Sequence, residues 1–468
     1  MTKSIRQVAA IIVLCFVVVS LDLVYWQVWR APDLATRAGN PRAIEARQEI
    51  QRGMILDRHG AVLAKSVRSG NAFKRQYALA SLSPLIGYSS VRFGQDGLEK
   101  SFNNQLEGST GDLAAALTNS LLQQPRVGDT LTLSIDAKLQ QAADQALGNV
   151  SGAAILMKPK TGEILALVTK PYFNANELDQ ELPRHQNDPS GPFFNRATLG
   201  LFPPGSTFKM VTASAALGSG TATPATRFQA RSDTFVVDGF PIRGRNLPAG
   251  LTEASLTEAF QYSCNTCFAQ LGLQLGWPKL QDYAERFNLD KPIPFDLPVR
   301  TSHLHQPGVQ LSRLLLANTA YGQGQLAVTP MQMLLIGAAI ANNGLLPQPH
   351  VVMKESSPAG QPVSDYGGGS LGLAVNPDVA GEVKQMMVDV VNKGSGVLAR
   401  VPNVQVAGKT GTAETGDGKP PHAWFVAFAP ANDPRYAVVV IREHQGEGYD
   451  QAAPMAKTIL QAALASND

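Results

Sequence analysis

Cysteine, histidine and charge are all scarce in this 468-residue chain. Its three cysteines, Cys15, Cys264 and Cys267, exclude a disulfide-built scaffold and a four-cysteine zinc site. The seven histidines are scattered and form no ligand cluster along the sequence. Only 16% of residues are charged, and 40 Lys and Arg against 37 Asp and Glu leave a net charge of +3. That balance lacks the basic excess a nucleic-acid partner demands, so no nucleic acid is expected. Long hydrophobic runs are scarce too: after the N-terminal one, no stretch approaches the length of a membrane span. A hydrophobic fraction of 44% at this length is nevertheless enough for two or three well-filled domains.

The one long apolar run is Val8 to Val28, preceded by Lys3 and Arg6, with Asp22 its only charge. About 20 apolar residues span a bilayer. The run exceeds a signal-peptide core, no small-x-small cleavage site follows promptly, and Tyr25, Trp26 and Trp29 suit the outer headgroup level. An uncleaved, single-pass anchor is the reading. A cleaved secretory signal competes with it, since Val8 to Leu21 has the length of an apolar signal core and Asp22 is costly in lipid. Either way, Lys3 and Arg6 held inside place the remainder outside the cytoplasm. Most chemistry driven by ATP or cofactors is then excluded, and no cofactor is expected.

Three units are expected: a cytoplasmic tip and transmembrane anchor over 1–30, a stalk and pedestal over 31–150, and a larger domain over 151–468. The polar segment Arg30 to Gln51 reads as a helical or flexible stalk. Arg52 to Ala64 reads as strand, turn and strand about Asp57 to Gly60, Gly97 to Gly108 as helical, Thr130 to Ile135 as a strand, and 136–147 as an amphipathic helix. The second half opens with a β-hairpin after Ser151. Its other strand candidates, Val404 to Thr412, Ala423 to Ala429 and Tyr436 to Arg442, lie far downstream, before a closing helix from about Gln451 to Ala465. Five strands interrupted by helical material predict an α+β domain, one antiparallel sheet covered by helices.

The chemistry lies in the interruption. Phe202 to Lys209 reads FPPGSTFK, in which two prolines and a glycine fix a turn just before a helix-competent segment. Ser206 therefore starts a helix, and residues three apart on a helix are neighbours, so Lys209 sits beside its hydroxyl. A lysine acts as base to a serine only when partly neutral, which burial and nearby positive charge bring about. Ser-x-Asn occurs at Ser69, Ser101 and Ser263, and Lys-Thr-Gly at Lys160 and Lys409. Context selects Ser263 with Asn265, entering a helix-like run downstream of Ser206, and Lys409, in a sheet strand. Gly411 is expected to leave that strand edge open to a substrate backbone.

Ser-x-x-Lys, Ser-x-Asn and Lys-Thr-Gly in that order resemble the signature of the penicillin-binding proteins, serine D,D-transpeptidases that cross-link peptidoglycan. NRAT (195–198), SCNT (263–266), YGQG with TPMQM (321–333), AGKTGTAE (407–414) and HAWFVAFAP (422–430) resemble the monofunctional class B members, as do RGMILDRHG and GLEKSFNNQLEG in the pedestal, here of a compact, dimerisation-like type. The resemblance implies a penicillin-binding and β-lactamase-like transpeptidase fold. It further implies that Ser206 is acylated by the penultimate D-alanine of a stem peptide while Lys209 takes its proton and Ser263 relays protons to the leaving amine. Asn265 would hold the substrate amide, Lys409 and Thr410 the terminal carboxylate, and the N–H groups of Ser206 and Thr412 the oxyanion. Implied partners are peptidoglycan stem peptides, β-lactams, the membrane, and a polytopic membrane glycan polymerase.

Alternatives on the same fold stay open from the sequence: a D,D-carboxypeptidase or serine β-lactamase, in which water accepts the acyl group, or a β-lactam sensor or scaffold. A sensor is expected to carry a cytoplasmic output domain, which is not expected here. Cys264 and Cys267 form a CxxC in an exported chain. In preference to a redox pair, Cys264 is read as filling the variable position of Ser-x-Asn and Cys267 as a small apolar packing residue. His303 and His305 read as loop histidines, and Glu414 as a structural carboxylate.

Overall fold

The computed structural model describes residues 2–30, 48–70, 72–109, 125–185, 187–230, 234–244, 247–248 and 250–466. Most of the expected stalk lies outside them. At the N-terminus a helix over Thr2–Val24 continues as a wider turn over Tyr25–Trp29. Its apolar side chains, from Ile5 to Trp29, are exposed. Among the described residues this is the one helix long and apolar enough to cross a membrane. The shorter apolar helix Pro330–Ala341 is wholly buried and belongs to the protein core.

The catalytic-half sheet has the strand order Ala407–Ala413, His422–Ala429, Tyr436–Arg442, Gly152–Met157, Ile164–Lys170, antiparallel throughout. Its strands read as near-continuous apolar runs because both faces are covered. On one face the helices Ala137–Leu147 and Ala453–Ala465 bury Leu139, Ala143, Leu147, Ile459, Leu460 and Ala463. On the other face, Ile155, Val426, Val439 and Ile441 join the larger core formed with Pro330–Ala341 and its neighbours. The α+β reading and all five strands agree with the structure, and Ala407–Ala413 is an edge strand.

Two elements depart from the sequence reading. Helix Ala137–Leu147, grouped there with the pedestal, packs on the five-stranded sheet, because its apolar residues recur every fourth position and need an apolar face to cover. Conversely, Val352–Ser356 and Pro362–Asp365, inside the 151–468 span, join the pedestal sheet, whose order is 362–365, 352–356, 130–133, 55–56, 62–69, 72–77. Residues 55–56 run parallel to 130–133, and the other pairings are antiparallel. All four residues of Pro362–Asp365 are exposed, so no alternation marks the strand in the sequence. The helical segment after Gly97 forms as two short helices, Gly97–Ser101 and Asn103–Leu106.

The pedestal is pinned by charge as well as by apolar packing. Glu99 is fully buried and accepts from Arg52 Nε at 2.9 Å and Arg75 Nε at 2.6 Å, while Arg52 also reaches Glu107 at 2.9 Å. Removing one partner of such a cluster strands the others without compensation. Glu99→Ala is therefore expected to cost about 3–5 kcal/mol of pedestal stability in denaturant unfolding. A loss below about 1 kcal/mol, the range of exposed pairs, would show that the arginines re-solvate freely.

Candidate active site

The PPG turn ends in a single 3₁₀ turn, Gly205–Phe208, that runs directly into helix Lys209–Gly218. Gly205 has φ +54°, and a Cβ there would lie 2.6 Å from the Thr412 carbonyl oxygen, so only glycine lets the turn lie this close to the edge strand. Trp424 Nε1 donates to Pro203 O at 3.1 Å, tying the turn to the second strand. Ser206 is left partly exposed on a rigid corner.

Lys209 is fully buried. Its Nζ donates to Ser206 Oγ at 3.0 Å, Ser263 O at 2.7 Å and Asn265 Oδ1 at 2.7 Å, and lies 3.3 Å from Ser263 Oγ. Lys409, also fully buried, reaches the same hydroxyl from the other side, with Nζ 2.9 Å from Ser263 Oγ. Ser263 thus bridges two lysines. The Phe268 ring lies 5.3 Å from Lys209 Nζ and the Phe260 ring 5.6 Å from Lys409 Nζ, adding apolar walls with negative faces. Burial and then the neighbouring Lys409 charge push the Lys209 pKa well below the usual lysine value. Burial alone brings Lys409 down to about 7.

Ser263 adopts φ +61°, a left-handed conformation that a serine enters only at a cost, of the order of 1–3 kcal/mol. The next residue caps helix Asn265–Leu275, with Cys264 Sγ accepting from Cys267 N at 3.1 Å. Cys264 and Cys267 form a disulfide across that first turn. Both are buried, yet the expectation of Cys267 as merely a small apolar packing residue is corrected: capping brings positions i and i+3 together and allows the bond. The turn that carries Asn265 is thereby closed covalently.

Ser206, Ser263, Asn265, Thr410 and Thr412 line one cleft of about 470 Å³. Lys209 and Lys409 are buried and reach the cleft-lining Ser263 hydroxyl. Gly411 is different from expectation. A Cβ there would lie 2.8 Å from Pro204 O and 2.8 Å from Thr207 Cγ2, so its smallness serves packing against the turn that carries Ser206 rather than an open edge. The second Lys-Thr-Gly is apart from all this: Lys160 is exposed in the first hairpin's turn and pairs with Asp433 at 2.7 Å. His303 bonds Asp290 at 3.0 Å. Glu414 is exposed at the end of the edge strand and lines the cleft, as Tyr321 does.

Several cleft residues were not picked out from the sequence. Ser395 shares a 2.7 Å hydrogen bond with Thr410 Oγ1, and Glu447 accepts from Thr412 Oγ1 at 2.7 Å. Gly-Ser-Gly at 394–396 after a helix is a weak loop signal for the first. Nothing local marks the second. Asn318, Arg243 and Tyr449 also line the cleft.

A serine-bearing turn leading into a helix, a lysine pair meeting at a second serine and an edge strand thus come together at one cleft. The family described as "Penicillin binding protein transpeptidase domain" matches residues 152–461. The chain belongs to this family of penicillin-binding proteins. A second family description, "Penicillin binding protein A dimerisation domain", matches residues 52–130. The peptidoglycan D,D-transpeptidase PbpA of Mycolicibacterium smegmatis is 34% identical, covering 99% of both chains. The peptidoglycan D,D-transpeptidase MrdA of Acinetobacter baumannii is 30% identical over 78% of this chain and 59% of its own. Among solved structures, the ceftriaxone acyl-enzyme complex of penicillin-binding protein A from M. tuberculosis superposes with a TM-score of 0.84 at 33% identity, covering 90% of this chain and 100% of that one. These matches agree with the monofunctional class B reading, compact pedestal included.

In this penicillin-binding protein the lysine pair is open to direct titration. Replacing Lys409 by Met removes the positive charge that lowers Lys209, so the Lys209 pKa is expected to rise while burial still holds it below its ordinary value. Following the lysine ¹³Cε shift against pH reads this out. An unmoved Lys209 titration would mean that burial alone sets it.

Proposed function

We propose that the protein is a peptidoglycan D,D-transpeptidase that cross-links stem peptides through an acyl-Ser206 intermediate, and that β-lactams act on it by acylating the same hydroxyl. The observation that carries this is the buried Lys209 Nζ, 3.0 Å from Ser206 Oγ. Burial and Lys409 favour its neutral form, which is what a base to serine needs.

In this reading Lys209 takes the Ser206 proton as Oγ attacks the penultimate D-alanine carbonyl. Ser263, in contact with both lysines, passes a proton to the leaving amine. Lys409 and Thr410 hold the terminal carboxylate, and Asn265 the substrate amide. The backbone N–H groups of Ser206 and Thr412 face the developing oxyanion, where fixed donors matter most. Gly411 keeps the strand close to the turn. An amine from a second stem then forms the new amide and restores Ser206. The relatives named as D,D-transpeptidases and the β-lactam acyl-enzyme structures support the reaction class.

The N-terminal helix supports anchoring in the bacterial cell membrane, and Lys3 and Arg6 before it support an extracytoplasmic catalytic domain. The organisation follows as anchor (1–30), stalk and pedestal (31–150) and transpeptidase domain (151–468), with the two exchanged elements described above. A polytopic membrane glycan polymerase supplies the strands to be cross-linked, and the anchor and pedestal are the surfaces assigned to it.

Labelled penicillin is expected to add one acyl group per chain, on the peptide containing Ser206. Labelling that persists in Ser206→Ala would sink the assignment. Lys209→Arg keeps the charge but not a group able to turn neutral, so acylation should fall by orders of magnitude. Near-normal acylation would reduce Lys209 to an electrostatic role. Finally, D-amino acid or stem-peptide amines should speed turnover of a thioester donor beyond its hydrolysis. Rapid penicillin hydrolysis with no amine effect would mark a β-lactamase instead.

A further inference from the structure

Away from the active site, the pedestal carries a hairpin whose charge is all of one sign. Its strands Val62–Ser69 and Ala72–Tyr77 pair antiparallel, and the stretch 62–77 holds Lys65, Arg68, Lys74 and Arg75 but no Asp or Glu. Arg75 is buried against Glu99. Lys65, Arg68 and Lys74 are exposed, and none of them has an acidic partner among the described residues, Arg68 Nε donating to Gly70 O at 3.3 Å. Val67 stands opposite Lys74 and two residues from Lys65, so the two lysines share one face, while Arg68, opposite Phe73, lies on the other. The tip is open: Gly70 takes φ +64°, and a Cβ there would meet nothing within 4 Å.

The hairpin points to the end of the pedestal at which the chain arrives from the N-terminal helix. Ile55 pairs with Ala64 in an antiparallel ladder, so the chain traced back from Ile55 to Gln48 and the strand traced forward from Ala64 to Ser69 run to the same end of the sheet. Contacts hold the two together. Ser66 Oγ donates to Arg52 O at 3.0 Å and Arg75 Nη1 to Gly53 O at 2.7 Å, and Gln48 and Ile50 share a small cleft with Ser66 and Phe73. Residues 31–47 join Gln48 to the N-terminal helix and its closing turn. At ~3.5 Å per residue their greatest reach is about 60 Å, which confines the hairpin near whatever that helix is embedded in. A tether of this length raises the local concentration of that surface.

We propose that this hairpin docks on anionic phospholipid headgroups of the bilayer that holds the N-terminal helix, an inference that rests on the anchoring reading above. The ligand chemistry is that of a phosphate diester. Lys65 and Lys74 offer compact point charges, and the planar fork of Arg68 matches phosphate oxygens. Ser66, Ser69 and Gln76 stand among the cations in place of a large apolar face, so the contact stays at headgroup level and does not insert. Glu49, exposed on the entering chain, is one acid set against three cations. Such attraction acts within a Debye length, about 8–10 Å at physiological salt. Docking therefore fixes which end of the pedestal lies against the bilayer.

The test uses the full chain in lipid nanodiscs of phosphatidylcholine alone or mixed with phosphatidylglycerol. A dye on Ser69→Cys, in a Cys15→Ser background, reports energy transfer to a headgroup-labelled lipid. Transfer is expected to rise with phosphatidylglycerol and to fall with added salt. Each of Lys65→Gln, Arg68→Gln and Lys74→Gln should lower the ratio of docked to free hairpin about fivefold. Lys279→Gln, an equal change of charge on the catalytic half, should leave it unchanged. Inorganic phosphate should displace the hairpin no better than chloride at equal ionic strength. Stronger displacement would mark a free-phosphate site and overturn the lipid assignment. Transfer indifferent to phosphatidylglycerol, or a triple variant that keeps the lipid dependence, overturns the proposal, and a surface that meets an acidic protein instead would give the first of these. Release of the whole chain from the discs is a separate observation, which would overturn the anchoring reading and the proposal with it.

Discussion

Two lysine side chains, both removed from water, meet at the hydroxyl of one serine, and the rest of the catalytic half serves that meeting. Charge is least welcome in such a place, and each unit by which a lysine's pKa is lowered costs the fold about 1.4 kcal/mol below that range. The return is chemical. One lysine gains a neutral form beside Ser206, while the other is brought down to about 7. Like charge between the two separates their roles, because the first to protonate makes the second harder to protonate.

Holding that arrangement requires parts from three distant stretches of chain. The turn carrying Ser206 is pressed against the edge strand through Gly205 and Gly411, each occupying a place with no room for a Cβ. The Ser263 corner is held in an uncommon backbone conformation and is followed by a helix whose first turn is closed by the Cys264–Cys267 bond. The strand bearing Lys409 is one edge of a sheet buried on both faces, so it moves only with the core. Strain and buried charge are thus confined to a corner backed by extensive apolar packing.

The pedestal repeats the logic of buried charge with the opposite outcome. Glu99 lies between Arg52 and Arg75, and the opposite charges compensate one another. A paired cluster fixes geometry, whereas an uncompensated lysine pair creates reactivity. The exchange of elements between halves, with Ala137–Leu147 given to the catalytic sheet and residues 352–365 to the pedestal sheet, ties the two together without a simple linker.

Local order determined a good deal of this. The PPGSTFK turn, the Ser206–Lys209 spacing, the five apolar strands and the N-terminal apolar run are all written in short windows, where backbone restriction, helical periodicity and hydropathy act within a few residues. Tertiary structure alone decided the remainder. The contacts of Glu447 with Thr412 and of Ser395 with Thr410, the inward role of Gly411, the Cys264–Cys267 bond and the pairing of 352–365 with the pedestal depend on what lies across the fold. A residue such as Glu447 or Ser395 has no local signature, because its meaning comes from a partner 35 or 15 positions away. Sequence patterns encode the preference of a segment for a conformation and a buried face, but which groups then share a cleft is settled by packing between segments that are distant along the chain.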